Sequence, residues 1–207
     1  MGDKTFLPDE YKYKMKGKTM KKILIAVLLL GGLLVPGFLH AGKGANGKNP
    51  KILIAYYSWS GNTKAMAQAI QKVAGGTLFE IRCVKPYPAE FKACIAASRK
   101  DIKTGTPIKA FPDVSKYDMI FVGSPNWFGT ITPPVRTFLA RKELAGKKIF
   151  PFFTHGTGGI QNCEKDVKIL CKKSTVGKAL AFPGKEVKKV APAVEKWIRK
   201  DLKLKTL

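Results

Sequence analysis

Acidic side chains are scarce in this sequence: 14 aspartates and glutamates stand against 38 lysines and arginines, a formal charge of +24 over 207 residues. Histidine occurs twice and cysteine four times, as Cys83, Cys94, Cys163 and Cys171. Their spacing matches no metal-ligand pattern, which argues against a local zinc-type site. No nucleophilic triad or paired-carboxylate pattern stands out, so hydrolytic chemistry is not indicated. A Gly-Lys-Ser/Thr phosphate loop is also missing, which excludes a Walker-type nucleotide site. Long apolar runs are limited to residues 23–39, ILIAVLLLGGLLVPGFL. With 45% hydrophobic and 25% charged residues, the chain has the make-up of a globular core rather than of a disordered polymer.

The apolar run follows Lys21-Lys22 and leads to Leu39-His40-Ala41, the basic, apolar, cleavable order of a secretory signal, with cleavage expected after Ala41. A bilayer needs about 20 uninterrupted apolar residues. This run falls short and is broken by Gly31-Gly32 and Pro36, so an uncleaved anchor over 23–39 is the alternative. No twin arginine precedes it and no cysteine sits at the cleavage point, which favours Sec-type export without lipidation. The first 19 residues suit a signal poorly, making Met20 an alternative start. The expected organisation is an extension and signal over 1–41, a polar linker over 42–50 and one folded domain over 51–207, in the periplasm or secreted.

Residues 1–41 hold seven lysines and three acidic residues, so the remainder carries +20 from 31 basic and 11 acidic side chains. Such a charge attracts acidic proteins or an anionic membrane surface at low salt. Nucleic acid is not an expected partner, because an exported protein rarely meets it and the basic residues are spread along the whole chain. Oxidising surroundings permit disulfides. Eight helical residues at about 1.5 Å each would separate Cys163 and Cys171 by roughly 12 Å, beyond the roughly 7 Å a disulfide spans. Buried free thiols are the expected state, with a Cys83–Cys94 pair as the alternative.

Ile52 to Tyr57 is a continuous apolar run of strand length, the mark of a strand buried on both faces. Met66, Ala69, Ile70 and Val73 then repeat at helical spacing until Gly75-Gly76. A second strand is predicted over 77–81, a helix over 89–103, a third strand over 119–123, and a helix opening on Pro133-Pro134. A fourth strand over 149–153 contains Pro151, which implies a bulge or a lost ladder bond. A helix over 160–170, a strand over 179–182 and a last helix with Pro192 in its first turn complete the pattern. This alternation predicts an α/β fold, a doubly wound five-stranded parallel sheet in three α-β-α layers. Ligands in such folds sit beyond the carboxyl ends of the strands.

Three segments just after strands have the right chemistry. Ser58-Trp59-Ser60-Gly61-Asn62-Thr63 combines short hydroxyls and a glycine with a helix start, where free backbone N–H groups and the helix dipole favour a phosphate. Pro125-Asn126-Trp127-Phe128-Gly129 places aromatic rings where a planar ligand would stack. Thr154-His155-Gly156-Thr157-Gly158-Gly159 lets backbone N–H groups approach ring oxygens and nitrogens.

The first of these, with its Ser/Thr-x-Ser/Thr-Gly-x-Thr pattern, resembles the phosphate loop of flavodoxins. The second is similar to the family segment that packs an aromatic residue on the flavin, and the third to the segment at the ring's far side and pyrimidine edge. Pro88-Ala89-Glu90 and Pro133 to Leu139 add to the likeness, which covers roughly residues 50–200. The resemblance implies strand order 2-1-3-4-5, FMN as a non-covalent cofactor and electron transfer, which the signal over 1–41 would place in the bacterial cell envelope. An FMN-dependent NAD(P)H or quinone oxidoreductase, and a basic binding module that has lost flavin, are the alternatives. His155 near the N1–O2 edge would favour the anionic reduced ring, and Tyr87 is a candidate to close over the cofactor. Flavodoxins are typically acidic. The opposite sign here implies an acidic redox partner and a less negative reduction potential.

Overall fold

The computed structural model describes residues 50–204. The signal-like segment and the linker up to residue 49 lie outside the described residues, among which no helix is long and apolar enough to cross a membrane. In chain order the main elements are β1 (Ile52–Tyr56), α1 (Asn62–Ala74), β2 (Thr77–Glu80), α2 (Phe91–Asp101), β3 (Met119–Trp127), β4 (Thr130–Ile131) and α3 (Pro133–Leu139). They continue with β5 (Lys148–His155), α4 (Cys163–Leu170), β6 (Thr175–Val176), β7 (Leu180–Pro183) and α5 (Ala191–Lys196).

β2, β1, β3 and β5 lie side by side and parallel, and β6 and β7 both pair parallel with β5. Taken by their principal strands, this is the expected 2-1-3-4-5 order in an open, mostly parallel sheet. Pleating sorts the side chains of β1 into two cores. Leu53, Ala55 and Tyr57 join Ile120, Val122, Phe138 and Val167 on one face. Ile52, Ile54 and Tyr56 join Met66, Ile70, Phe121 and Trp197 on the other, beneath α1 and α5. Both faces of β1 are buried, which is why its sequence reads as an unbroken apolar run.

The fifth strand is split, and the cause is Pro151. Gly177 donates its N–H to the Ile149 carbonyl, 2.8 Å away. The next rung of a parallel ladder would need an N–H from Pro151, which has none. Pairing with β5 therefore stops after Val176 and resumes at Phe152↔Leu180. The blemish seen in the sequence is a lost ladder bond. The expected helix over 160–170 starts later, at Cys163, because Gln161 adopts a positive φ of 43° just before it. All four cysteines are free and buried. Burial pushes the Cys83 and Cys171 thiols up to about 11 and the Cys163 thiol up to about 12, which keeps them protonated and unreactive at neutral pH.

Gly123 marks the tightest point of the sheet. A Cβ there would lie 2.2 Å from Cζ of Phe152, a ring with no exposed surface and no room to move aside. Gly123→Ala is therefore expected to lower unfolding stability by about 2 kcal/mol, the usual scale of core overpacking. The urea midpoint measures it, and an unchanged midpoint would refute the close approach.

Candidate functional site

The segments at 58–63, 124–130 and 154–162 all leave the carboxyl ends of β1, β3 and β5, so the topology brings them to one rim. Side chains then fasten them together. The hydroxyls of Thr63 and Thr154 share a buried hydrogen bond of 2.8 Å, tying the start of α1 to the end of β5. Asn126 Nδ2 donates to the Gly159 carbonyl at 2.7 Å and to Gln161 Oε1 at 2.9 Å, and the Asn162 N–H donates to the Gly129 carbonyl at 2.9 Å.

Helix α1 begins at Gly61, whose φ of 88° places it in the left-handed region, and no side chain caps the first turn. Its leading N–H groups thus lack the side-chain oxygen that usually satisfies them. Three residues ahead of Gly61, Ser58 Oγ is buried and has no hydrogen-bond partner, and Ser58 lines an adjoining cleft with Tyr57, Trp59 and Tyr87. Both features ask for an oxygen-rich anion, and the helix dipole favours one. Asn62 and Ser60 line the cleft beside this turn, whereas the Thr63 hydroxyl is turned inward to Thr154.

The second segment is not the loop the sequence suggests. β3 runs on through Asn126 and Trp127, turns on Phe128 and Gly129, and returns as β4. Both turn residues have positive φ (54° and 82°), as tight two-residue hairpins require. Short alternation and a lone glycine hid this hairpin in the sequence. It is braced from below: Thr130 bonds the Asp166 carboxylate, and Arg136 reaches Thr130 at 3.2 Å, Asp166 at 3.7 Å and the Ile102 carbonyl at 3.0 Å. Ser124 Oγ accepts from the N–H of Thr132 at 2.9 Å and closes the base.

Trp127 thereby stands in an aromatic group. Tyr57, Trp59 and Tyr87 meet its ring nearly edge-on, with centroids 5.8, 6.4 and 5.4 Å away. Trp59 also donates its indole N–H to the Pro88 carbonyl at 2.9 Å, holding the 86–90 turn. Glu90 at the end of that turn accepts from the N–H groups of Lys92 and Ala93, which cap α2 and hold its carboxyl below the ordinary value. Tyr87 donates its hydroxyl to Asp101 at 2.7 Å and buttresses Trp127. Burial, the Asp101 bond and nearby charge hold its phenol protonated.

The three segments enclose a cleft of about 210 Å³ whose walls include Trp59, Ser60, Pro125, Trp127, Thr154 and His155. Gly156 lines it too, and His155 Nδ1 lies 3.2 Å from the Gly156 carbonyl. Lys185 and Gly184, just after β7, complete the wall. Those two were missed in the sequence, where the segment looks like a plain lysine-rich turn. Gln161 was missed as well; it backs Gly129 and Gly158 and steadies Asn126. Phe128 points away from this cleft. It is 47% exposed under the Arg99 guanidinium and lines a second, more apolar cleft of about 260 Å³ with Phe91, Ile95, Asn126 and Trp127.

An anion-seeking helix start, a half-buried tryptophan and a glycine-rich wall, all at the strand ends of a parallel sheet, define a doubly wound protein built for a phosphorylated ligand with a flat ring. Residues 51–200 match the family model described as Flavodoxin, and the chain belongs to that family. Solved structures agree. A flavoprotein from Bacteroides uniformis is 28% identical, with 74% of this chain and 100% of that one covered at a TM-score of 0.65. A second, from Bacteroides eggerthii, is 25% identical (70% and 98% covered, TM-score 0.59). A flavoprotein from Lactobacillus acidophilus in complex with FMN is 27% identical (68% and 97% covered, TM-score 0.57).

Proposed function

We propose that this chain binds FMN at the rim cleft and serves as an electron-transfer protein of the cell envelope with an acidic redox partner. The observation that carries the cofactor is the buried, unpartnered Ser58 hydroxyl just ahead of the uncapped start of α1, a pair of needs that one phosphate monoester meets. The complex of the Lactobacillus acidophilus relative with FMN supports it. When bound, FMN supplies one- or two-electron chemistry. The chain would supply the rest: N–H groups of the first turn, with Ser58 ahead of them, would hold the phosphate, Trp127 would offer its ring face, and His155 and Lys185 would add positive or hydrogen-bonding groups to one wall.

Hydrogen bonds to a charged group contribute about 1.5–3 kcal/mol, so Ser58→Ala is expected to weaken FMN binding roughly tenfold. Because the same change removes an unsatisfied buried hydroxyl, the melting temperature of the free protein should hold or rise slightly. Fluorescence titration and thermal melting check both halves; equal affinity in the two proteins would refute the phosphate role.

The envelope location rests on the signal-like run at 23–39, and the partner's sign rests on the +20 that remains after residue 41. Lys85, Lys92, Arg99, Lys109 and Lys185 are all exposed on segments around the rim and extend the positive field to the site, whereas Arg82 is paired with Glu80. That field stabilises an anionic reduced ring, so the potential should lie above that of acidic flavodoxins and fall as salt is added. A salt-independent potentiometric midpoint would contradict this. The apolar cleft beside Trp127 favours one second reading, an FMN-dependent quinone reductase with a flat apolar substrate. Mixing the FMN-loaded protein with NAD(P)H and a soluble quinone separates the two. A carrier leaves NAD(P)H unoxidised without an added reductase, whereas steady turnover establishes the reductase.

A further inference from the structure

We propose that the apolar cleft between the hairpin and α2 is a second binding site, for a small aromatic acid whose carboxylate pairs with Arg99. The site stands apart from the FMN reading and needs no flavin. Four aromatic rings line it: Trp59, Phe91, Trp127 and Phe128. Phe91 is 64% exposed and Phe128 47%, two of the four large apolar side chains left in water among the described residues. They belong to different elements, the start of α2 and the hairpin turn, yet border one cleft. Open apolar surface gathered in this way marks a place where an apolar group lands. The volume is about 260 Å³. Drug-sized ligands occupy roughly 300–1,000 Å³, so one or two fused rings suit this cleft.

The polar side chains of the wall have little to give a polar ring. The Ser98 hydroxyl donates to the Ile95 carbonyl at 3.3 Å, and the Trp59 indole N–H to the Pro88 carbonyl at 2.9 Å. Both amide hydrogens of Asn126 go to Gly159 and Gln161. A nucleobase edge would leave its acceptors unmet here, at a cost in affinity. An apolar ring asks for nothing.

The charge comes from Arg99. Four of the five arginines have a carboxylate partner: Arg82 with Glu80, Arg136 with Asp166, Arg141 with Glu143 and Arg199 with Glu195. Arg99 alone has none among the described residues. Its guanidinium lies instead over the Phe128 ring, 5.1 Å from the centroid, beside the cleft. A stacked guanidinium keeps its edge N–H groups free, and that planar fork matches a carboxylate. An uncharged quinone would leave this arginine unpaired; an aromatic acid fills the cleft and answers the charge together.

Calorimetric titration of the full-length protein with 2-naphthoate and with 2-naphthylmethanol, the same ring without the charge, tests the proposal. The acid should bind about tenfold more tightly than the alcohol, the scale of a hydrogen-bonded charge pair. Arg99→Gln should erase that difference and leave the alcohol unchanged, whereas Phe91→Ala should weaken both alike. Lys109→Gln removes an equally exposed charge elsewhere on the rim, and should change the acid's affinity by less than about twofold at physiological salt. Equal binding of acid and alcohol by the native protein overturns the proposal, whatever the variants do. So do equal losses in Arg99→Gln and Lys109→Gln, which would assign the acid to the general positive field. Displacement of bound naphthoate by FMN would make the cleft part of the cofactor's site and overturn it as well. A short acidic peptide with one phenylalanine that binds where naphthoate does not would overturn it in favour of a protein partner. Protein that takes naphthoate but no FMN would uphold this site and sink the FMN reading.

Discussion

Alanine at Trp127 should weaken FMN binding roughly a hundredfold. The indole shares both clefts with that of Trp59, and three aromatic neighbours hold it edge-on. Losing about 100 Å² of apolar contact at 25 cal/mol/Å² removes about 2.5 kcal/mol, and the stacking geometry adds about 0.5–1.5 kcal/mol. At 1.4 kcal/mol per factor of ten, the sum of about 3–4 kcal/mol is two to nearly three orders of magnitude, so a hundredfold is the lower bound. Trp127→Phe keeps a flat ring on the same hairpin and should retain most of the affinity. Because Phe128 and Gly129 form the turn by their backbone conformations, the hairpin itself should survive either change. Fluorescence titration of both variants reads the outcome directly. Equal affinity for the native and alanine proteins would remove Trp127 from the site.

Trp197→Ala should do the reverse, costing stability while sparing the cofactor. Trp197 is the largest fully buried side chain among the described residues, packed edge-on against Phe121 at 5.4 Å in the core beneath α1 and α5. Its indole N–H also donates to the Lys178 carbonyl at 3.0 Å, on the turn that links β6 to β7. Removing a buried tryptophan costs about 3–5 kcal/mol, a large part of the roughly 5–15 kcal/mol that holds a domain together. A melting point about 10 °C lower follows for a domain of this size. Below that melting point, FMN affinity should stay within about threefold of native, since no group of Trp197 belongs to the rim cleft. A loss of binding equal to that of Trp127→Ala would mean that the two cores are coupled through the sheet more strongly than their packing suggests.

The sheet was legible where burial is two-sided. Ile52 to Tyr56 and Ile120 to Val122 leave no choice but a central strand, and the lone Pro151 announced the rung that is missing opposite Gly177. The turn after β1 stood out as a candidate for a phosphate because hydroxyls and glycine at a helix start have a chemistry of their own, whatever lies around them. What stayed hidden depends on contacts between distant segments. Gln161 looks like an ordinary loop residue until Asn126 is brought within 2.9 Å across 35 positions of sequence. Lys185 enters the cleft only because β7 lies beside β5. The hairpin at Phe128-Gly129 escaped because its return strand is two residues long, too short for alternation to show. Thr63 was expected on the phosphate, yet its hydroxyl is engaged with Thr154; its part is to fasten the loop, a role that sequence spacing does not reveal.

One titration bears on the central claim more directly than any substitution. FMN added to the purified, flavin-free protein at about micromolar concentration should lose its fluorescence up to a sharp one-to-one end point. Flavin that stays fully bright across the same range would contradict the account.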